Sequence, residues 1–259
     1  YDHSGNGNHG TINGATWVEN IEGCTDEYAD NYDETANIND GSCEYPDNGD
    51  YSLSFDGVDD YVNLGNQLDV AGDFTIESKI KISTSNQSYT IYAKSDETWS
   101  SNTEPKGYMF YLNNSGELMF GYRLENHNLW NSIDSDTNIN YNQSYNVAVT
   151  RSNGNIQLYI NGEPVGSGGI FEENITFPTS VNSYIGRWWN NGSGDDGYDD
   201  YYYGGFIHSL TIWDEALSED ELTNIINNDL DSINAGLVSY WNFNAGSGNT
   251  LYDHSGNGN

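Results

Sequence analysis

Apolar and polar residues alternate with a period of two through much of this chain. Residues 74–82 keep the alternation for a full strand length, the signature of a half-buried β-strand. Residues 51–55 and 60–64 flank a turn containing Gly57 and predict a hairpin. Residues 108–112 and 117–124 flank Asn113, Asn114, Ser115 and Gly116, a second hairpin. Residues 145–151 and 155–160 flank Ser152, Asn153 and Gly154, a third. Residues 183–187, 206–213 and 236–243 read as further strands. One helix interrupts them. Ser218 is its N-cap and Glu221 completes a capping box, while Leu222, Ile225 and Ile226 give it one apolar face. It is expected to lie across a sheet edge or end and to stop at Asn227, Asn228 and Asp229. Strands at this spacing predict an all-β fold, an antiparallel β-sandwich or jelly roll with one short helix in its C-terminal half.

Composition sharpens this picture. The 259 residues suffice for one sizeable β core. Gly (29), Tyr (21) and Trp (7) are abundant, as suits strands and tight turns. Forty acidic residues against seven basic ones leave a net charge of −33. No nucleic acid is expected as a partner, because phosphate binding needs a Lys/Arg footprint. No apolar run reaches the length of a membrane span, so membrane insertion is not expected either. So large a negative charge opposes compaction unless cations screen it. Calcium suits carboxylate, amide and carbonyl oxygens best; a solvated acidic surface is the alternative. Five N-x-S/T sequons, at Asn86, Asn113, Asn142, Asn174 and Asn191, are no more than so Asn-rich a chain yields by chance.

The octapeptide Tyr-Asp-His-Ser-Gly-Asn-Gly-Asn occurs at residues 1–8 and again, unchanged, at residues 252–259. An identity over so long an offset points to one period of a tandem array of whole domains. Two related domains sharing one favoured turn is the alternative. Asp2, His3 and Ser4 do not read as a catalytic triad, because neighbours on a glycine-rich turn cannot form the nucleophile–base–orienter relay. They read as a tight turn.

Stretches through most of the chain resemble the laminin-G-like, concanavalin A-like jelly roll of bacterial surface and polysaccharide-acting proteins, more distantly related to pentraxins. They are residues 236–243, 253–259, 9–17, 53–62, 73–77, 145–150, 158–163, 184–186 and 212–218. The resemblance implies a jelly roll over residues 1–235, with an acidic module inserted at residues 20–46. In that family the domain opens with the strand that here comes last. Residues 236–259 therefore either close their own jelly roll as a permutation or begin the next repeat. A strand passed between consecutive units would link them by main-chain hydrogen bonds.

The inserted module resembles Cys-bounded acidic modules of secreted proteins, themselves similar to thrombospondin type 3 calcium repeats. The resemblance implies a disulfide between Cys24 and Cys43, the only cysteines, and hence an oxidising, extracellular setting, secreted or at the cell surface. Asp26, Asp30, Asn31, Asp33, Asn37, Asn39 and Asp40 offer oxygens for Ca2+, and Gly41 permits a sharp turn, although the spacing is not that of an EF-hand. Asp56, Asp59 and Asp60 form a lower-ranked metal candidate. Trp188, Trp189, Asp195, Asp196, Asp199 and Tyr201 combine flat aromatics with carboxylates, as sugar sites do. A Tyr-rich loop packed on the sandwich rim is the alternative. No Glu-x-Asp occurs, so the paired carboxylates of laminarinase-type hydrolases are missing, and no enzyme activity is expected. The reading that follows is a calcium-stabilised structural or adhesive repeat, an adhesin stalk or extracellular fibre, with neighbouring copies and surface glycans as partners. The alternative is a carbohydrate-binding module of a secreted polysaccharide-acting enzyme.

Overall fold

A computed structural model describes residues 2–66, 68, 72–83, 88–95, 107–123, 131–170, 181–188, 201–227 and 235–259. The chain gathers into two compact units, Tyr1–Tyr45 and Pro46–Asn259. Residues 2–20 form no helix or strand. The strands of the two large sheets, and the one helix among the described residues, all fall in the second unit.

The first unit has little regular structure. Its two strands, β1 (Glu22–Gly23) and β2 (Ile38–Asn39), pair in parallel. Cys24 and Cys43 form the disulfide the resemblance implied, with Cα atoms 4.7 Å apart. Short polar side chains brace the remainder. Asn37 Oδ1 accepts from Ile21 N at 2.9 Å, and Asn31 Oδ1 accepts from Glu44 N at 2.8 Å. A unit too small for its own core relies on such cross-links.

The second unit carries, in chain order, β3 (Leu53–Asp56), β4 (Val62–Asn63), β5 (Phe74–Ile82), β6 (Tyr89–Ser95), β7 (Gly107–Leu112), β8 (Glu117–Arg123), β9 (Asn131–Asn138), β10 (Ser144–Ser152), β11 (Asn155–Ile160), β12 (Glu163–Ile170), β13 (Ser183–Ile185), β14 (Gly204–Trp213), α1 (Glu219–Ile226) and β15 (Leu237–Trp241). Among the described residues they build a seven-stranded and a six-stranded sheet. The first runs β12-β11-β10-β5-β14-β15, with β3 also on β14; the second runs β4-β13-β6-β7-β8-β9. All these pairings are antiparallel. The fold is the β-sandwich jelly roll expected.

The core lies between the sheets. Phe74, Ile76, Ile80 and Ile82 of β5 face Phe110, Leu112, Leu118 and Phe120 of β7 and β8, all fully buried. Burying one such side chain contributes about 1.5–3 kcal/mol. The hairpins expected at β7–β8 and β10–β11 form. In the latter, Asn153 (φ 48°) and Gly154 (φ 83°) take the left-handed conformations of a two-residue turn.

One expected hairpin does not form. β3 pairs with β14 and β4 with β13, in different sheets. The intervening turn crosses the sandwich edge because Asp56 organises it. Asp56 Oδ1 accepts from Val58 N at 2.8 Å, and Asp56 N donates to Asp60 Oδ2 at 2.9 Å. The carboxylates thus satisfy backbone donors that a ladder would otherwise take.

Helix α1 has the expected capping box, with Asn227 as its C-cap; Asn228 and Asp229 lie outside the described residues. It does not cross a sheet edge. Leu222 and Ile225 bury against Ala148, Tyr159, Trp213 and Leu217, on the outer face of the seven-stranded sheet. β15 pairs with β14 within its own domain, Leu210 opposite Trp241.

Candidate functional site

The alternation that builds the core also builds the opposite face of the six-stranded sheet. Tyr108, Phe110 and Leu112 point inward, so Met109 and Tyr111 point outward. They meet Ala93 of β6 together with Trp188 and Tyr201. The chain reaches this face through Gly186, whose φ of 81° and 2.6 Å approach of a would-be Cβ to the Phe55 ring exclude a side chain. Gly186 N donates to Ile91 O at 3.1 Å and Gly186 O accepts from Tyr203 N at 2.8 Å. Arg187 and Trp188 thereby lie on the outer side of the sheet, both buried beneath their aromatic neighbours.

Arg187 is held by aromatic faces. Its guanidinium lies 4.5 Å from the Tyr61 ring centroid and 5.7 Å from those of Tyr184 and Tyr202, within cation–π range. Tyr61 and Tyr184 meet edge to face at 5.9 Å. Tyr61, next to β4, is 46% exposed, and Tyr201 and Tyr111 are half-buried. Burial, with the neighbouring Tyr201 and Asp134, pushes the Tyr111 hydroxyl up to about 12, so it stays a neutral hydrogen-bond donor at physiological pH. On β9, a hydrogen bond with Asp134 and that residue's charge raise the Asp136 carboxyl above the usual range.

Of the six residues expected to bind sugar, Trp188 and Tyr201 are brought together here, linked by a Trp188 N to Tyr201 O bond of 3.4 Å. Trp189, Asp195, Asp196 and Asp199 lie outside the described residues. Trp188 is buried, 5% exposed. It is a floor for the cluster, and the exposed ring faces belong to its neighbours. Tyr203, next to them in sequence, is a core residue meeting Phe55 and Tyr89 edge-on; burial raises its hydroxyl pKa. Sequence reasoning missed Tyr61, Tyr111, Tyr184, Tyr202, Arg187 and Asp134. They come from five separate stretches, and only the outward phase of each strand would have linked them.

Of the two metal candidates, the lower-ranked one has the convergent carboxylates. Asp56, Asp59 and Asp60 each offer a carboxylate oxygen, and these lie within 4.8 Å of one another at the sheet-crossing turn. Among the described residues no other such carboxylate group converges. In the first unit the expected ligands serve as braces. Asp26 takes bonds from Tyr28 N (2.9 Å) and Tyr45 OH (2.8 Å). Asp33 Oδ1 accepts from Thr35, Asn39 Oδ1 from Gly41 N, and Asp40 Oδ1 from Ser42 N. The side-chain hydroxyls of Thr35 and Ser42 hold Asp33 and Asp40 below the ordinary carboxylate range. Asp30 donates its backbone N to Glu44 O at 2.7 Å.

A recess of about 130 Å3 lies on the outer face of the seven-stranded sheet beside α1. Glu77, Lys79, His208 and Tyr240 line it. Glu77 is only 3% exposed.

Two stacked antiparallel sheets with one outer face furnished by aromatic rings define a lectin-type sandwich. Residues 56–223 match the model of the Concanavalin A-like lectin/glucanases superfamily, and the chain belongs to that family. No curated protein matches the sequence. Among solved structures, the chain is similar to a Bacteroides ovatus protein assigned to carbohydrate binding, at 18% identity and TM-score 0.56, over 79% of this chain but only 57% of that one. It is also similar to the CBM40 of a Ruminococcus gnavus IT-sialidase bound to α2,3 sialyllactose, at 19% identity and TM-score 0.52, over 68% and 97% of the two chains. A heptameric SAP-like pentraxin from Limulus polyphemus follows at 20% identity and TM-score 0.47, over 67% and 80%. At these identities the likeness is one of fold.

Proposed function

We propose that the sandwich is a non-catalytic carbohydrate-binding module of a secreted protein, taking neutral sugars on the outer face of the six-stranded sheet. The observation that carries this is the set of accessible rings on one face: Tyr61, Tyr202, Tyr201 and Tyr111, above the buried Tyr184, Arg187 and Trp188. Ring faces stack on the CH groups of pyranoses, while tyrosine hydroxyls orient the sugar hydroxyls. Family membership and the carbohydrate-binding neighbours support the same reading. Neutral glycans are preferred because a net charge of −33 repels acidic ones. Calcium at Asp56, Asp59 and Asp60 would pin the turn that delivers Tyr61 to the face. The disulfide supports an extracellular location. The stalk or fibre reading concerns where such a module sits in a longer protein, and it is compatible with sugar binding.

The test is a glycan array followed by calorimetry on the strongest neutral ligand. Tyr201→Ala and Tyr111→Ala should each weaken binding about tenfold, as loss of one stacking or hydrogen-bonding contact implies. Binding untouched by both, with folding intact, would remove the site from this face.

A further inference from the structure

On the edge that faces away from β5, β14 carries two partners. β3 pairs with its residues 204–207 and β15 with its residues 210–213. Neither reaches His208 and Ser209, and the register of β14 on β5 shifts at the same place. β15 ends at Trp241 and β3 begins at Leu53, so the sheet edge is broken where these two strands meet end to end. Irregularities of this kind gather beside functional sites. The chain must leave the sheet after Trp241 and enter it before Leu53. Between the two connections lies a pocket of about 250 Å3, open to solvent.

Its floor is the end of the core. Phe243 is buried there, and Leu53 and Leu251, half-buried, pack against the same cluster. Phe243 reaches the core from a left-handed backbone, φ 58°, a state that a bulky residue keeps only where its surroundings fix it. Asn244 does the fixing. Its Oδ1 accepts from Tyr51 N at 3.2 Å, its O accepts from Asn48 N at 2.8 Å, and its N donates to Asn242 Oδ1 at 3.0 Å. With both side-chain oxygens taken, Asn242 and Asn244 offer their NH2 ends to the pocket they line. Three rings stand around it: Tyr51, Tyr252 and His254. Tyr51, 46% exposed, packs on the backbone of Gly246, where a Cβ would come within 2.7 Å of the ring. His254 N donates to Tyr240 O at 2.7 Å, and burial holds the imidazole below its usual range, so this ring is neutral at physiological pH. Among the described lining residues none is Asp, Glu, Lys or Arg, in a chain with 40 acidic residues.

We infer that this pocket is a second, separate binding site, which takes a single neutral pyranose unit such as the end of a glycan. An apolar floor and ring walls suit the CH groups of the sugar, and the amide NH2 groups with the Ser247 and Thr250 hydroxyls suit its OH groups. At about 30 Å3 per water molecule the pocket has room for roughly eight waters, the bulk of one sugar ring and not of a chain. A charged sugar would find no opposite charge among the described lining residues to offset its desolvation. The pocket shares no residue with the ring-lined face of the six-stranded sheet, and the inference does not rest on sugar binding there.

The test titrates the full chain with the methyl glycosides of glucose, galactose and mannose and reads backbone amide shifts. Amides of Leu53, Asn244, Thr250 and Tyr252 should move, with a dissociation constant in the millimolar range usual for so small a ligand. Tyr51→Ala removes a ring wall, and Thr250→Trp fills the pocket from an exposed position. Each should weaken the binding about tenfold or more, and Thr250→Trp keeps the test decisive if Tyr51→Ala disturbs the fold. Tyr111→Ala, on the six-stranded sheet, should leave these shifts unchanged. No movement at the four amides with any of the three glycosides overturns the inference. So does binding that the folded pocket variants leave intact, or binding that Tyr111→Ala removes. A stronger response to glucuronate or glucosamine than to the neutral glycosides overturns the assignment to neutral sugars. Sugar binding on the six-stranded sheet is read at Tyr111 and Tyr201, so either proposal can fail without the other.

Discussion

Replacing Glu77 with glutamine should stabilise the sandwich in alkaline but not in acidic solution. Glu77 sits on β5 with its side chain on the outer face, 3% exposed, and Thr211 Oγ1 donates to its Oε2 at 3.0 Å. Burial pushes its carboxyl from 4.5 up to about 7, against the opposing pull of the Thr211 hydrogen bond and the Lys79 charge. The folded state therefore holds a proton that the unfolded chain releases between about pH 4.5 and 7. Below that window both states are protonated and the group is neutral in effect. As pH rises through it, stability falls, because the folded state binds more protons than the unfolded one. Above about pH 7 the full cost of burying the charge is present. A gap of about 2.5 pH units corresponds to roughly 3 kcal/mol. The Glu77→Gln side chain would keep the shape and the acceptor for Thr211 without the charge. Thermal melts of both proteins at pH 5 and pH 8.5 isolate this residue from the other carboxylates, since only the difference between variants is read. At 2–4 °C per kcal/mol for a domain of this size, the variant should melt roughly 5–10 °C higher at pH 8.5. At pH 5 the two should melt much closer together. An equal difference at both pH values would refute the protonated, buried Glu77.

Three other outcomes follow from the geometry. Gly186→Ala forces a left-handed backbone on alanine and drives its Cβ to within 2.6 Å of the Phe55 ring. Strain and overpacking together should cost roughly 2–5 kcal/mol, read in chemical denaturation. Replacing Cys24 and Cys43 with Ala removes the link across a 19-residue separation. It should cost the first unit about 3 kcal/mol by the loop-entropy model, with limited proteolysis cutting residues 24–43 while the sandwich stays intact. Calcium should raise the melting temperature of the sandwich, and Asp59→Asn with Asp60→Asn should abolish the increase; an equal rise in the double variant would move the ion elsewhere.

The sequence made the central strands legible because their inward positions are strongly apolar and their turns carry Asn-Gly or Gly. β5, β10 and β11 are of this kind. The capping box of α1 was readable for a similar reason, since Ser218 and Glu221 act on the backbone beside them. The edges were not readable. β9 reads Asn-Ser-Ile-Asp-Ser-Asp-Thr-Asn and is mostly exposed, while β12 contains Pro164 and three glycines. Both are edge strands, where polar residues and proline are tolerated. The split of β3 and β4 between two sheets escaped notice because alternation gives a strand's phase and not its partner. The same limit hid the ring-lined face. Tyr61, Tyr111 and Tyr184 each look like ordinary strand residues, and only the register of β4, β13, β6 and β7 puts them on one surface. The sugar site expected from sequence was anchored on Trp188, which the fold uses as a buried floor.

Chemical-shift mapping of a bound neutral oligosaccharide tests the central proposal most directly. Backbone amides of Met109, Tyr111, Tyr184, Arg187 and Tyr201 should shift on titration, while Glu77, Lys79 and α1 on the opposite face stay still. Shifts confined to that opposite face, or none with any neutral glycan that the protein binds, would contradict sugar recognition by the six-stranded sheet.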